Sequence, residues 1–316
     1  MLSLALSLFA VSARADEPAA GARAAVAPQL PTSAWEVELD GTLGSESITS
    51  GATPGVPSIA EPPYTATSSH GAGTLTARRF IAPIVDDDAP RSLQPFLQRA
   101  SIVSVEASLG GFSESISVPP DATGRTIAVA AGADVYATRW LAFTASVGYA
   151  STVDDFDGGL RETFDTLPVE GGFALRFGDA RFDLSWQPTF LLSPQPPTGG
   201  YGDIHLAADL VFERAVEVTL DGSIFHGGAA VNGEVGWYVT KGVGVFVGGL
   251  GSSGHYPQAG LQEDKYEARA GATVWPIARV RLLAELDVTG RADRGAQFAP
   301  QSFFDCAGRL DALVRF

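Results

Sequence analysis

Alternation with a period of two constrains this chain more than any other feature. In Trp35-Glu-Val37-Glu-Leu39-Asp-Gly41-Thr-Leu43, every odd position is apolar or glycine and every even position is polar or charged. A helix would scatter Glu36, Glu38 and Asp40 around its circumference, whereas a strand gathers them on one face. The pattern returns along the chain. Arg181, Asp183, Ser185 and Gln187 interleave with Phe182, Leu184, Trp186 and Pro188, and Glu217, Thr219 and Asp221 with Val216, Val218 and Leu220. Near the end, Arg281, Glu285, Asp287 and Thr289 interleave with Leu282, Ala284, Leu286 and Val288. The chain reads as all-β. Alternation alone fits either a soluble sandwich, with its apolar faces packed together, or a closed barrel that turns them outward.

The connections separate the two. Very short joints at Thr138-Arg139, Gly178-Asp179, Arg214, Lys241-Gly242 and Pro276-Ile277 take turns with longer ones rich in turn formers. The longer ones are Asp154–Gly159, Ser193–Gly200, Ser252–Asp264 and Arg291–Pro300, and the short Phe225–Gly228 joint is the exception among them. Two rims with different connection lengths are what an up-and-down transmembrane barrel requires. Strands are expected to begin near 34, 72, 100, 125, 140, 165, 180, 203, 215, 229, 242, 265, 279 and 303. That makes about fourteen, an even count that returns both ends of the barrel to the tight-turn rim. Gly44–Ala72, rich in Ser, Thr, Pro and Gly, and the adjacent pair Arg78-Arg79 weaken the first two, so twelve strands is the fallback.

The N-terminus carries a short apolar run, Met1–Val11, then Ala13-Arg14-Ala15 and Asp16-Glu17-Pro18. This is the pattern of a secretory signal peptide cleaved after Ala15. Residues 16–33 read as a flexible Ala/Pro-rich lead-in and 34–316 as the barrel. No window approaches the roughly 18 unbroken apolar residues of a spanning helix. A formal net charge of −15 argues against nucleic acid, whose phosphates need clustered Lys and Arg. The one cysteine, Cys306, has no partner for an internal disulfide.

In the last strand Leu310, Ala312, Val314 and Phe316 share one face, and an aromatic carboxylate ends the chain. With the signal peptide and the meander, this resembles the Gram-negative outer-membrane β-barrels, in which an alternating last strand ending in Phe is read by the barrel-assembly machinery. The resemblance spans most of the chain as architecture and names no transport family. It implies an outer-membrane location, contact with outer-membrane lipid, and a porin-like channel. Trp140, Trp237, Tyr238 and Trp275, beside tight turns, and Tyr149, Tyr201 and Phe225, near long joints, are expected in the two interfacial belts.

The polar face supplies the functional reading. Glu170, Arg176, Arg181, Asp183, Asp209, Glu217, Asp221, Glu234, Glu267, Arg269, Arg281, Glu285 and Asp287 are expected to line a pore. Glu36, Glu38, Asp40, Glu106, Asp134, Glu213, Arg309 and Asp311 are expected to point inward with them. Mixed charge with an acidic surplus favours passive diffusion of small polar solutes, cations above all. Two alternatives stand beside this reading. One is a closed structural or adhesion barrel whose loops 44–72, 193–202 and 252–264 bind a partner. The other is an outer-rim hydrolase using Asp203 and His205, a pair that resembles the Asp-x-His element of the omptin barrel proteases. No enzyme activity, cofactor or metal is expected. Finally, Phe80–Arg99, with Asp86-Asp87-Asp88 and a Leu93/Phe96/Leu97 stripe, is too long for the tight-turn rim and reads as a plug, a docking surface or a cap on the barrel floor.

Overall fold

The computed structural model describes residues 32–50, 65–116, 122–156, 160–193, 202–225, 227–256, 261–295 and 301–316. The signal peptide and nearly all of the lead-in lie outside these residues. Fourteen strands follow one another: β1 (Thr32–Ser50), β2 (Thr65–Val85), β3 (Ile102–Ile116), β4 (Ala122–Tyr136), β5 (Leu141–Phe156), β6 (Leu160–Phe177) and β7 (Ala180–Ser193). They continue with β8 (Gly202–Phe212), β9 (Val216–Phe225), β10 (Gly228–Thr240), β11 (Val243–Tyr256), β12 (Leu261–Ile277), β13 (Val280–Gly295) and β14 (Gln301–Arg315). Each pairs antiparallel with its sequence neighbours, and β1 closes the barrel on β14 in a register running from Glu36↔Arg315 to Ser50↔Gln301. The chain end is part of the closure, since Phe316 and Trp35 exchange backbone hydrogen bonds of 2.9 and 3.0 Å.

The wall is inverted relative to a soluble protein. Leu39 and Leu43 are 60% and 75% exposed on its outer face, and Val105, Leu109, Ile127, Leu206, Val231, Leu286 and Leu310 are exposed beside them, whereas Glu36, Asp311 and Arg315 are buried inside. A continuous apolar exterior of this kind has no place in water and is the surface a bilayer covers. Closure also leaves no unpaired strand edge for lipid to desolvate. The shortest strand, β9, has 10 residues, enough for a tilted strand to cross the hydrocarbon, which takes about 9–11.

β1 and β2 run further than the sequence pattern indicated, and together they replace the expected loop 44–72 up to residues 51–64, which lie outside the description. His70 therefore sits in the wall, opposite Gly44. The adjacent arginines of β2 resolve by pleat: Arg78 turns inward to Glu38, and Arg79 turns outward over the Trp35 ring, 5.4 Å from its centroid. Four of the tight joints stand where expected; the fifth is Ala278-Arg279, two residues beyond Pro276-Ile277. Of the partner-binding loops considered, 51–64, 194–201 and 257–260 lie between the strands, outside the described residues. The β6 ladders are interrupted where Pro168 of β6 and Pro188 of β7 lack amide protons: Leu167 and Pro168 drop out of the pairing with β5, and Val169 and Glu170, paired with Val147 and Ser146 of β5, drop out of the pairing with β7.

Candidate functional site, the charged lumen and its floor

The β2–β3 connection, Asp86–Ala100, folds into the tight-turn mouth. A 3-10 turn (Arg91–Leu93) leads into a single-turn helix, α1 (Gln94–Leu97), with Pro95 in its first turn, where a missing N–H costs nothing. The helix ends on Arg99 at φ 54°, with Ala100 N–H donating 2.9 Å to the Pro95 carbonyl, a Schellman-type stop. Phe80, Ile84 and Ala100 form the apolar cluster beneath it, and Leu93 is buried. The Gln98 side-chain amide brackets Val85, accepting from its N–H at 2.8 Å and donating to its carbonyl at 2.5 Å, so it acts as a strand partner where the strand ends.

This segment is fastened around the ring. Arg176 of β6 donates to the Phe96 carbonyl and stacks 4.2 Å over the Phe96 ring. Ser101 Oγ accepts from the Tyr136 N–H of β4 at 3.0 Å. Arg91 N–H donates to the Lys241 carbonyl at 3.0 Å, and Lys241 Nζ lies 2.8 Å from Asp86. Trp275 Nε1 of β12 donates to Ser92 Oγ at 3.0 Å, and Arg315 of β14 donates to the Arg91 carbonyl at 3.0 Å. Asp86 takes a further hydrogen bond of 2.9 Å from Gln94. Burial alone would raise its pKa, but the hydrogen bonds from Gln94 and Lys241 and the charges of Lys241 and Arg91 hold its carboxyl below the ordinary aspartate value.

Above the floor, inward charges divide into two kinds. On β13, β14, β1 and β2 most are paired: Arg281 reaches Glu38 at 2.5 Å and Asp311 at 2.7 Å, Arg315 reaches Glu36 at 2.5 Å, Arg78 pairs with Glu38, and Arg309 with Asp40. A second knot joins Arg181 of β7 to Asp183 at 2.6 Å and, across β5 and β6, to Asp134 of β4 at 2.7 Å. Arg269 meets Glu234 at 3.0 Å and Glu267 at 4.0 Å. Glu170 accepts from Ser146 at 3.3 Å and from Gln187 at 3.0 Å. On β8 and β9 the carboxylates Asp209, Glu217 and Asp221 make no ion pair among the described residues. Glu217 is held by the Tyr238 hydroxyl at 2.8 Å instead.

Two cavities of about 350 Å³ each open between these groups. The first is lined by Glu217, Glu234, Tyr238, Arg269, Arg281, Glu285 and Arg309, with Ser92 of the floor segment beneath. The second shares Arg269, Glu285 and Arg309 and adds Asp40, Thr42 and Asp287. Five of the expected lumen residues, Glu217, Glu234, Arg269, Arg281 and Glu285, thus meet in one chamber, and Asp287 joins at its edge. Arg176 does not: it is 2% exposed and holds the floor. Glu213 is not on the inner face either. It sits with Arg214 in the β8–β9 turn, both at positive φ.

Two of the expected belt aromatics point inward. Tyr238 binds Glu217, and Trp275, 5% exposed, lies under Arg315 at 4.4 Å and meets Ser92. Trp140 and Trp237 are exposed on the outer face as the belt requires, as is Tyr149, while Tyr201 lies outside the described residues. The fastening residues Arg315 and Gln94 were absent from the sequence reading, which placed Trp275 in the belt; the inward parity of Arg315 and Trp275 was the available signal. His205 lies opposite Ser185 and Ser223, and Asp154 and Asp155 sit three strands away on β5.

A closed fourteen-strand barrel with an apolar outer wall and a charged interior has the fold of the Gram-negative outer-membrane β-barrels, and a bilayer is what such a wall requires. Solved structures of that class share the fold. A Pseudomonas aeruginosa FadL homologue matches at a TM-score of 0.64 and 10% identity, over 90% of this chain and 90% of that one. A deltaS2 mutant of TodX, a monoaromatic hydrocarbon channel, matches at 0.53 and 11% identity, over 90% and 91%. No protein-family model matches the chain, and no curated protein matches it in sequence.

Proposed function

We propose that this protein is an outer-membrane channel through which small polar solutes diffuse passively, with a preference for cations, and whose periplasmic end is narrowed by residues 86–100. The observation that carries the reading is the chamber above Ser92. It is lined mainly by charged and polar side chains, with Val245, Phe246 and Leu283 among them, and the carboxylates Glu217 on its wall and Asp209 and Asp221 on β8 and β9 make no ion pair among the described residues. Unneutralised carboxylates in a confined aqueous space concentrate cations and repel anions. The fold neighbours include a hydrocarbon channel. A charged lumen is a poor host for such cargo, because each polar group that an apolar solute covers loses water without a replacement, so the proposal departs from that neighbour in solute class. The test is planar-bilayer recording of the refolded chain under a salt gradient. A reversal potential of the cation-selective sign is expected, and an anion-selective sign would refute the solute preference.

A second reading, a closed structural barrel, is favoured by the fastening of the floor segment to β4, β6, β12, β14 and the β10–β11 turn. Replacing residues 87–99 by a short Gly/Ser turn distinguishes the two. Silence of both wild type and this variant would favour the closed barrel, and conductance that grows on replacement would favour a channel with a floor.

A further inference from the structure

The arginines of this chain fall into two populations. Most of those facing the lumen are neutralised by nearby carboxylates, as with Arg78, Arg181, Arg269, Arg281, Arg309 and Arg315, while Arg176 is held by the Phe96 carbonyl and ring. Beside Arg125, towards the opposite rim, Arg79, Arg139, Arg214 and Arg279 are exposed and make no ion pair among the described residues. All four stand at the tight-turn rim: Arg79 near the lower end of β2, and the others in the β4–β5, β8–β9 and β12–β13 turns. They are spread around the circumference rather than clustered. Such a set is unexpected in a chain with formal net charge −15.

Each of them borders the lower edge of the apolar wall. Arg79 lies over the exposed Trp35 ring, and Arg139, Arg214 and Arg279 follow or precede exposed Trp140, Phe212 and Ile277 by one or two residues. A long cationic side chain rooted beside such a residue lays its methylenes on the apolar belt and lifts its guanidinium to headgroup level. The β8–β9 turn adds an independent sign. Glu213 and Arg214 are both at positive φ, 49° and 55°, in the paired left-handed geometry that Asn-Gly adopts with least strain. A charged pair thus occupies a backbone that glycine would relax. Asp88, Asp179 and Glu213 are acidic groups exposed at the same rim, and none of them pairs with the four arginines.

We propose that Arg79, Arg139, Arg214 and Arg279 form a ring that binds the headgroup phosphates of phospholipids in the leaflet facing the tight turns. The permanent positive charge of each guanidinium attracts the phosphate and its N–H groups donate to the phosphate oxygens, and the ring registers the barrel vertically in its membrane. This does not depend on whether the lumen conducts.

The experiment compares the refolded full chain in phosphatidylcholine vesicles with and without phosphatidylglycerol, reading the temperature at which the heat-modifiable gel band is lost. Phosphatidylglycerol should raise that temperature for wild type at low salt, and high salt should erase the rise. Arg79→Gln, Arg139→Gln, Arg214→Gln and Arg279→Gln combined should abolish at least half of the rise, and the four lysine replacements should retain most of it. Arg125→Gln, on the outer face towards the opposite rim, should leave it intact. The proposal is overturned if the fourfold glutamine variant keeps the full rise, if the lysine variant loses as much as the glutamine one, or if Arg125→Gln matches them. Should the fourfold variant not refold, the single glutamine variants carry the test: each is expected to lose a fraction of the rise, and none losing any would overturn it.

Discussion

The closure arc β13–β14–β1–β2 and the opposite arc β8–β9 line the same lumen with the same kinds of residue and use them differently. In the closure arc nearly every inward carboxylate has an arginine: Glu36 with Arg315, Glu38 with Arg78 and Arg281, Asp40 with Arg309, Asp311 with Arg281. In the opposite arc Asp209, Glu217 and Asp221 have none. A paired charge is a fixed part of the wall, because breaking one partner strands the other in a low-dielectric interior. An unpaired carboxylate beside the chamber has no fixed countercharge, so its field is left to the path. The difference teaches that one arc closes the barrel and fastens its floor, while the other sets the potential of the path.

The comparison breaks most visibly at Arg315. This side chain and Glu36 are each 5% exposed, and Arg315 also donates to the Arg91 carbonyl and lies over Trp275. Arg315→Ala should destabilise the barrel by about 3–5 kcal/mol, measured as a lowered midpoint of urea unfolding in vesicles. If the loss were no greater than that of an exposed pair, the closure arc would not be the fixed element described.

Next in size is the latch of the floor segment. The Asp86 carboxyl titrates below its ordinary value in the folded state, so its contribution is fully present above the unfolded value and is lost as pH falls through the depressed one. Asp86→Asn at neutral pH should cost roughly 1–2 kcal/mol of local stability, since Lys241 and Asp86 are partly solvated. Amide-exchange protection across 86–100, taken relative to the intrinsic rate at each pH, should fall in the variant, and its further fall on acidification should be smaller than in wild type. Unchanged protection would show that the apolar cluster at Phe80 and Ile84 holds the floor without the latch.

The opposite arc responds in another observable. Asp209→Asn, Glu217→Gln and Asp221→Asn together should shift stability by less than about 1 kcal/mol, because none of the three holds an ion pair among the described residues, while the cation-selective reversal potential falls by more than half. Selectivity that survives all three changes would move its source to Glu285, Asp287 or the outer rim.

The closed meander was legible because lipid outside and water inside impose a period of two on every strand, and because tight joints such as Gly178-Asp179 and Lys241-Gly242 carry turn residues. The upper ends of β1 and β2 were not. Past the membrane both faces of a strand meet water, so Gly44–Ser50 and Thr65–Ala72 are under no pressure to alternate. The chamber residues Glu217, Glu234, Arg269, Arg281 and Glu285 followed from inward parity. Tyr238 and Trp275 were assigned by closeness to a turn, although parity with Trp237 and Val274 puts them inside. The floor was legible only as an anomaly of length. Its fastening joins Arg91 to Arg315 and Ser92 to Trp275, and such distant pairs leave no local pattern.

The smallest effect expected anywhere in the molecule tests whether pairing alone, without burial, accounts for the difference between the arcs. Arg161 and Asp155 approach to 3.7 Å on β6 and β5 towards the long-loop rim, with side chains 55% and 51% exposed. Both ions keep most of their hydration, and salt screens what attraction remains. Arg161→Ala should therefore change stability by about 0.5 kcal/mol or less, with a still smaller change at high salt. A loss near that of Arg315→Ala would mean that burial is not what distinguishes the closure pairs. The contrast between the arcs would then rest on the number of charges alone.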